Sequence, residues 1–368
     1  MKPDNDSTTI TVDLKDRSYP IYVTDTAMRG LGQSFRQHLN TSRCVIITDE
    51  NIAKILANPA AQSLADQHIE TRILTVRPGE ASKRMAVVER LFDQLFDLNL
   101  ERSEAIIALG GGVVGDLAGF VAATYKRGVP FVQVPTTLLA MIDSSIGGKT
   151  GINHKKGKNM IGAFHQPAMV YADISTLNTL PPRELSCGLA ECVKHAVIKD
   201  NKLFHWLQNQ AANIQKLDRD IIKELVIRNC RIKAAVVSQD ETETDLRGIL
   251  NFGHTIGHAL EIALADHDLH HGEAVALGMI AEANLAVKQN LLKTEDLQKL
   301  IDLLETFSLP TKSNTPLNQE KILELMRQDK KVHQGKIKFA LPTSLGTCIF
   351  ADNIEDEQIK WAIESINK

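Results

Sequence analysis

The chain lacks the features that would place it outside the cell or in a membrane. Its five cysteines (Cys44, Cys187, Cys192, Cys230, Cys348) are odd in number, scattered, and form no C-x-x-C pair. That argues for a reducing compartment and against a disulfide framework. No apolar run approaches the roughly 20 residues of a membrane-spanning helix, and the polar, acidic opening M-K-P-D-N-D-S-T-T lacks the pattern of a signal peptide. An excess of one charge is missing too: 42 Lys and Arg against 45 Asp and Glu leave a formal charge of −3, mixed along the whole length. Neither a basic nucleic-acid face nor a membrane-surface helix is readable in it. Internal repeats and low-complexity segments are absent. Together these absences predict a soluble, cytoplasmic protein that binds neither nucleic acid nor membrane.

What is present is enough chain, 368 residues with 43% hydrophobic, for two domains with a core each. The first part alternates short apolar runs with helical stretches. Strands are expected at 43–49, 71–76, 105–109, 131–134 and 168–172, with an edge hairpin over 9–23 and an amphipathic helix over 85–98. Such alternation implies a mainly parallel sheet covered on both faces. Near residue 175 the character changes. Helical periodicity runs from Pro182 past Glu191 and continues over 201–239, 255–264, 273–289 and 295–306, with one clear strand at 336–341. The expectation is an α/β domain over 1–175 and a mostly α-helical domain over 176–368.

The stretch from Gly248 to Gly278 concentrates the chemistry. Five of the twelve histidines (His254, His258, His267, His270, His271) fall within it. His254 and His258 stand at i, i+4 on a helix with Glu261 one turn on, and the second group sits just before another helix. Two such helices can bring imidazoles together on a divalent metal, with nitrogens about 2.0–2.1 Å from zinc. Glu191 and Lys194 share a face of a helix whose flanking residues, Leu189, Ala190, Val193, Ala196 and Val197, are apolar. A buried Glu needs a partner, and a metal supplies one. Glu191 with two histidines gives a three-ligand site with an open position, the arrangement of a catalytic metal.

Gly110–Asp116, G-G-G-V-V-G-D, follows a strand and opens a helix. Its G-x-G-x-x-G spacing suits a pyrophosphate at a helix N-terminus, although a tight structural turn would use the same glycines. No acid follows at a strand end about 20 residues later, as the usual fingerprint requires. Asp49, ending an earlier strand near Asn51, is the alternative ribose ligand, so the preferred reading is a non-standard dinucleotide site. Further on, P-T-T-L-L-A-M-I-D-S-S-I-G-G-K-T-G presents two hydroxyls, Asp143 and Lys149, and the following run carries Lys158 and Asn159. Lysines beside glycine-rich backbone suit phosphate or carboxylate; Lys155 and Lys156 read as a solvated charge run. Arg247 is a fork donor for an anion. Arg127, Lys330 and Lys331 add positive charge from distant positions.

Taken together, G-G-G-V-V-G-D, Y-K-R-G, the P-T-T to K-T-G stretch, G-K-N-M-I-G-A-F, L-P-P-R-E, G-L-A-E-C-V-K, L-R-G-I-L-N-F-G-H-T-I-G-H-A-L-E and H-G-E-A-V-A-L-G-M resemble the 3-dehydroquinate synthase family, in order, from about Asp49 to Leu341. The resemblance implies a Rossmann-like N-terminal domain, a helical C-terminal domain, NAD, Zn2+ or Co2+, and a homodimer. It implies an anionic sugar phosphate as substrate, 3-deoxy-D-arabino-heptulosonate 7-phosphate, in the shikimate pathway. Family members oxidise one ring hydroxyl transiently, eliminate phosphate, reduce the ketone again, open the ring and close a carbocycle by an aldol step.

Carried over by position, the resemblance implies Glu191, His254 and His271 as metal ligands. Asp143, Lys149, Asn159, Lys194, Lys233, Glu243, Arg247, Asn251 and His258 match the substrate and proton-transfer positions, and Arg127 matches an arginine that reaches the neighbouring subunit. For the dinucleotide the matches are Asp49, Asn51, Glu80, Lys83, Gly111, Gly112, Val113, Val114, Gly115, Asp116, Thr136, Thr137, Lys149, Lys158, Thr176, Leu177, Asn178 and Thr179. Family members often carry Lys where this chain has Asn178, and His195 has no counterpart role. Two alternatives share the architecture: sister sugar-phosphate cyclases of the 2-deoxy-scyllo-inosose or 2-epi-5-epi-valiolone type, and metal-dependent polyol dehydrogenases, which would accumulate NADH.

Overall fold

A computed structural model describes residues 7–243, 246–328, 332–333 and 336–368. The chain packs as two units: Met1–Leu180 with Ile222–Thr242, and Pro181–Ile221 with Glu243–Lys368. Lys330 and Lys331 lie outside the described residues.

The first unit is built on a sheet. Its strands are β1 (Thr8–Val12), β2 (Tyr19–Thr24), β3 (Arg43–Asp49), β4 (Glu70–Val76), β5 (Ala105–Gly110), β6 (Phe131–Pro135) and β9 (Met169–Asp173), in the spatial order β1-β2-β9-β6-β5-β3-β4. All neighbours are parallel except the edge hairpin β1–β2. Alternation within single strands explains why both faces are covered. Val45, Ile47, Ile106 and Ala108 enter one core with Val88, Leu91 and Leu95 of helix α4 (Met85–Asp97) and Val114, Leu117 and Val121 of α5 (Gly112–Thr124). Cys44, Ile46, Ala105, Ile107 and Leu109 enter the other with Leu31 and Phe35 of α1 (Leu31–His38) and Ala60 and Leu64 of α3 (Asn58–Ala65). Strands buried on both sides read as continuous apolar runs, which is why the sequence exposes them. A short helical turn, α2 (Glu50–Ile52), starts directly after β3.

A second, two-stranded sheet was not expected. Residues 149–164, read above as a glycine loop with a lysine run, form the hairpin β7 (Lys149–His154) and β8 (Gly157–Phe164). Its glycines serve close packing: a Cβ on Gly162 would lie 2.3 Å from the Thr150 carbonyl oxygen.

The other unit opens with α6 (Pro182–Lys199) and α7 (Asn201–Gln215). The following α8 (Arg219–Gln239) is continuous in periodicity with its neighbours, yet Ile222–Thr242 packs with the sheet unit. There Arg17 makes two hydrogen bonds to Glu241, at 2.7 and 2.6 Å, and Gln166 donates to the same carboxylate at 2.8 Å. Then come α9 (His254–Ala263), α10 (His271–Lys288), α11 (Thr294–Thr306) and α12 (Gln319–Gln328). Where a single strand was expected at 336–341, the chain forms short β10 (Val332–His333) and β11 (Lys336–Ile337), then the hairpin β12 (Phe339–Ser344) and β13 (Thr347–Ala351) turning at Gly346. Helix α13 (Asp356–Glu364) follows. Among the described residues no disulfide forms, and no helix is long and apolar enough to cross a membrane. Burial pushes the Cys187 and Cys230 thiols up to about 12, so neither is a ready nucleophile.

Candidate functional site

In the helical unit, small residues bring three helices together. A Cβ on Gly278 of α10 would fall 1.9 Å from the Gly253 carbonyl oxygen, and one on Gly272 would fall 2.3 Å from Cys187 Cα on α6. Glycine at these positions lets α9 and α6 approach α10 backbone to backbone. The approach delivers Glu191 from α6, His254 from α9 and His271 from the first residue of α10 to one point. Their ligating atoms all lie within 4.8 Å of one another. His254 Nε2 is 3.3 Å and His271 Nε2 is 3.9 Å from Glu191 Oε1.

Glu191 is fully buried and ion-paired with Lys194, itself 1% exposed. Burial raises the carboxyl pKa, but Lys194, His254 and His271 together outweigh it and hold the group well below the usual carboxylate range. His254 is lowered as well, to about 3, by burial first and then by the Lys194 cation. Its ring is therefore neutral at neutral pH. Nδ1 lies 3.2 Å from the Phe252 carbonyl, which can only accept. With Nδ1 donating to that carbonyl, the Nε2 lone pair is available to a cation shared with Glu191. His271 is aimed in the same manner by Glu261, whose Oε2 is 3.2 Å from Nδ1. An ionised carboxylate and two imidazoles whose free nitrogens converge make a donor set that fits a divalent cation such as zinc, with a position to spare.

His258, half-buried, stands beside both ligands, its ring centroid 5.1 Å from His254 and 5.9 Å from His271. Upstream of α9, buried Arg247 and half-buried Asn251 share a 3-10 turn, and Asn251 donates to Glu243 at 3.0 Å. Of the histidines considered for the metal, His267 lies on the exposed 265–267 turn and His270 caps α10.

The sheet unit carries a different assembly. Gly111 caps α5 where β5 ends, and the backbone of Gly112–Asp116 forms the first turn. A Cβ on Gly111 would press on Thr137 at 3.1 Å and one on Gly112 on Ser144 at 3.0 Å. The Thr136 hydroxyl beyond β6 is buried and has no hydrogen-bond partner among the described residues. A helix N-terminus, a glycine cradle and an orphaned hydroxyl fit a pyrophosphate-bearing ligand. Asp49 ends β3, but its carboxylate caps α2, accepting from Asn51 N at 2.9 Å and Ile52 N at 3.1 Å.

Lys83 is buried and donates to Asp116 at 2.8 Å and to Asn159 at 2.5 Å, with Glu80 at 3.6 Å. Burial disfavours its charge, yet Asp116 and Glu80 raise its pKa above the ordinary lysine value. Asn153, overlooked as part of a lysine run, completes this group. It donates to Glu80 at 2.7 Å and accepts from Asn159 N at 2.8 Å; only its place across the β7–β8 turn, invisible in sequence, reveals the role. Asp143 and Lys233, 90 residues apart, are ion-paired, and Lys233 also reaches the Asp143 carbonyl at 2.7 Å. Lys149 begins β7 and Lys158 is the second residue of β8, and both are exposed. Thr176 and Leu177 are buried in the turn after β9, where Asn178 and Thr179 face solvent. Arg127 is carried to solvent on the Tyr125–Arg127 turn with φ at +67°.

Fold and site together define a class. The chain is similar to 2-epi-5-epi-valiolone synthase from Streptomyces hygroscopicus, solved with NAD+ and Zn2+ bound: 28% identity, TM-score 0.88, over 96% of this chain and 98% of that one. It is also similar to 2-deoxy-scyllo-inosose synthase complexed with carbaglucose-6-phosphate, NAD+ and Co2+, at 26% identity and TM-score 0.87, over 97% and 99% of the two chains. This is the architecture of the sugar-phosphate cyclases. Within it, residues 73–187 match the family model for the 3-dehydroquinate synthase N-terminal part and residues 188–332 that for the C-terminal part. The 3-dehydroquinate synthase of Desulforamulus reducens is 45% identical over 95% of this chain and 98% of its own. The chain belongs to the 3-dehydroquinate synthase family.

Proposed function

We propose that the chain is a NAD- and metal-dependent carbon–oxygen lyase, converting 3-deoxy-D-arabino-heptulosonate 7-phosphate to 3-dehydroquinate and phosphate. The observation that carries the reading is the convergence of Glu191, His254 and His271 in a chain 45% identical, almost end to end, to a curated member of the family. Identity to the two sister cyclases is lower, 26–28%, which favours dehydroquinate synthesis over their reactions. Glu191, His254 and His271 hold the metal; the Gly111–Asp116 turn, Thr136, Lys83 and the 176–179 turn hold the dinucleotide. When bound, the metal polarises the hydroxyl to be oxidised and NAD takes up and returns its hydride.

The rest is done by this chain's own groups. Lys149, Arg247 and Lys233 supply cations for a substrate with a phosphate and a carboxylate. Lys194 offsets the Glu191 charge in a buried setting. His258, beside both metal ligands, is the proton carrier in this reading, and the substrate's own phosphate can accept a proton on leaving. Exposed Arg127 is offered to a second copy of the chain in a cytoplasmic homodimer.

The test is phosphate release from the heptulosonate phosphate, followed together with absorbance at the NADH band. The reading expects phosphate release that requires NAD and is abolished by a chelator, with no NADH build-up. Steady NADH accumulation on a polyol would make the protein a dehydrogenase. Turnover of glucose 6-phosphate or sedoheptulose 7-phosphate, with none of the heptulosonate, would make it a sister cyclase.

A further inference from the structure

Helix α9 begins without a cap of its own. Its N-cap residue is Gly253, with φ at +78°. A Cβ there would come within 2.5 Å of Met279 Cγ and 2.9 Å of the Val275 carbonyl oxygen. Packing against α10 therefore demands glycine, and glycine has no side chain to satisfy the first N–H groups of the helix. The acceptor comes from α10 instead. Glu282 Oε2 accepts from Gly253 N at 2.7 Å and Oε1 from Ile256 N at 3.1 Å. The side chain is 0% exposed, and a carboxylate in that position is favoured by the positive end of the helix.

The turn held in this way is the one that starts with His254. We infer that Glu282 is a positioning residue for the metal site, fixing the direction of His254 Nε2 by capping α9 from the neighbouring helix. The inference rests on the metal reading proposed above. Its geometry is economical: Glu282 lies about three turns beyond His271, so the two project from nearly the same face of α10. One helix thus supplies one imidazole ligand at its start and the carboxylate that sets the other. Glu261 orients His271 through its ring; Glu282 orients His254 through its backbone. The sequence signal was available in principle, an isolated Glu inside the apolar run Ala274–Ala286, the same pattern that marks Glu191.

The test compares the full-length protein with its Glu282→Gln and Glu282→Ala variants. Affinities for Zn2+ and Co2+ are measured by chelator competition, and the visible Co2+ absorption bands report ligand geometry. Glutamine keeps the shape but turns an NH2 donor toward an N–H donor. Both variants are expected to bind metal about 10–100-fold more weakly, with altered Co2+ bands. Leu300→Ala, a buried position on α11, is expected to lower the melting temperature while leaving metal affinity within twofold. Wild-type affinity and bands in Glu282→Gln would overturn the inference, and that variant decides the matter even if Glu282→Ala does not fold. If the wild-type chain binds neither metal, the metal reading itself fails, and the inference with it.

Discussion

The two candidate sites of this chain are made of different material. In the sheet unit, the Gly111–Asp116 turn offers mostly backbone, framed by glycines, with the Thr136 hydroxyl buried and without a hydrogen-bond partner among the described residues. In the helical unit the working parts are side chains with charge: Glu191 and Lys194 at 0% and 1% exposure, between two imidazoles. A backbone cradle costs little to maintain without its ligand, because N–H groups at a helix start remain hydrated or capped. Buried charges are different. Each must be held by the others whether or not a metal is present.

That contrast is tested most severely by Glu191→Ala. It should abolish metal binding and, by leaving Lys194 buried without its partner, lower unfolding free energy by about 3–5 kcal/mol, read by denaturant titration. Glu191→Ala combined with Lys194→Met should recover most of the stability and none of the metal binding. A milder cut is Glu261→Gln, which should weaken Zn2+ affinity about 10–100-fold in a chelator titration with little change in stability. On the cradle side, Thr136→Val should behave in the opposite sense. Removing a buried hydroxyl that has no partner should leave the free chain unchanged or slightly more stable, while NAD affinity, read by fluorescence titration, falls by about 1 kcal/mol. A loss of stability in Thr136→Val would break the comparison.

The smallest expected effect lies away from both sites. Glu104 receives two hydrogen bonds from Arg43, at 2.7 and 2.8 Å. Burial raises its pKa, but Arg43 and the Glu101 N–H outweigh it and lower the net value. A carboxyl lowered by folding stabilises above its unfolded pKa of about 4.3 and loses that contribution as pH falls through its folded value. Glu104→Gln should therefore cost roughly 1 kcal/mol at neutral pH, and the gap to wild type should close below about pH 4.

Much of this was legible in the residues, for identifiable reasons. Strands such as Arg43–Asp49 and Ala105–Gly110 are covered on both faces, so their apolar runs stand out. His254 and His271 declare themselves through histidine density, and Glu191 through its apolar neighbours. The β7–β8 hairpin was hidden because Gly151 and Gly162, which look like loop residues, are there to let two strands touch. Val332–Ala351 was hidden in part because its strands are as short as two residues. Asp49 was legible as a strand-end acid, whereas its second task, capping α2 through Oδ1, depends on a turn too short to announce itself. Nothing local marks Ile222–Thr242 as belonging with a sheet that ends at Asp173; that contact is purely long-range.

The return of α8 to the sheet unit has a consequence for synthesis. A ribosome that has released Leu180 has not yet delivered everything the first unit needs, because Lys233, the partner of Asp143, and Glu241, the anchor of Arg17, are still to come. The sheet can form early, but its packing is finished only after α6 and α7 have left the exit tunnel. A fragment ending at Leu180 would therefore emerge as an unfinished fold, prone to aggregation, and dissection of this chain by a single cut cannot yield two self-sufficient halves.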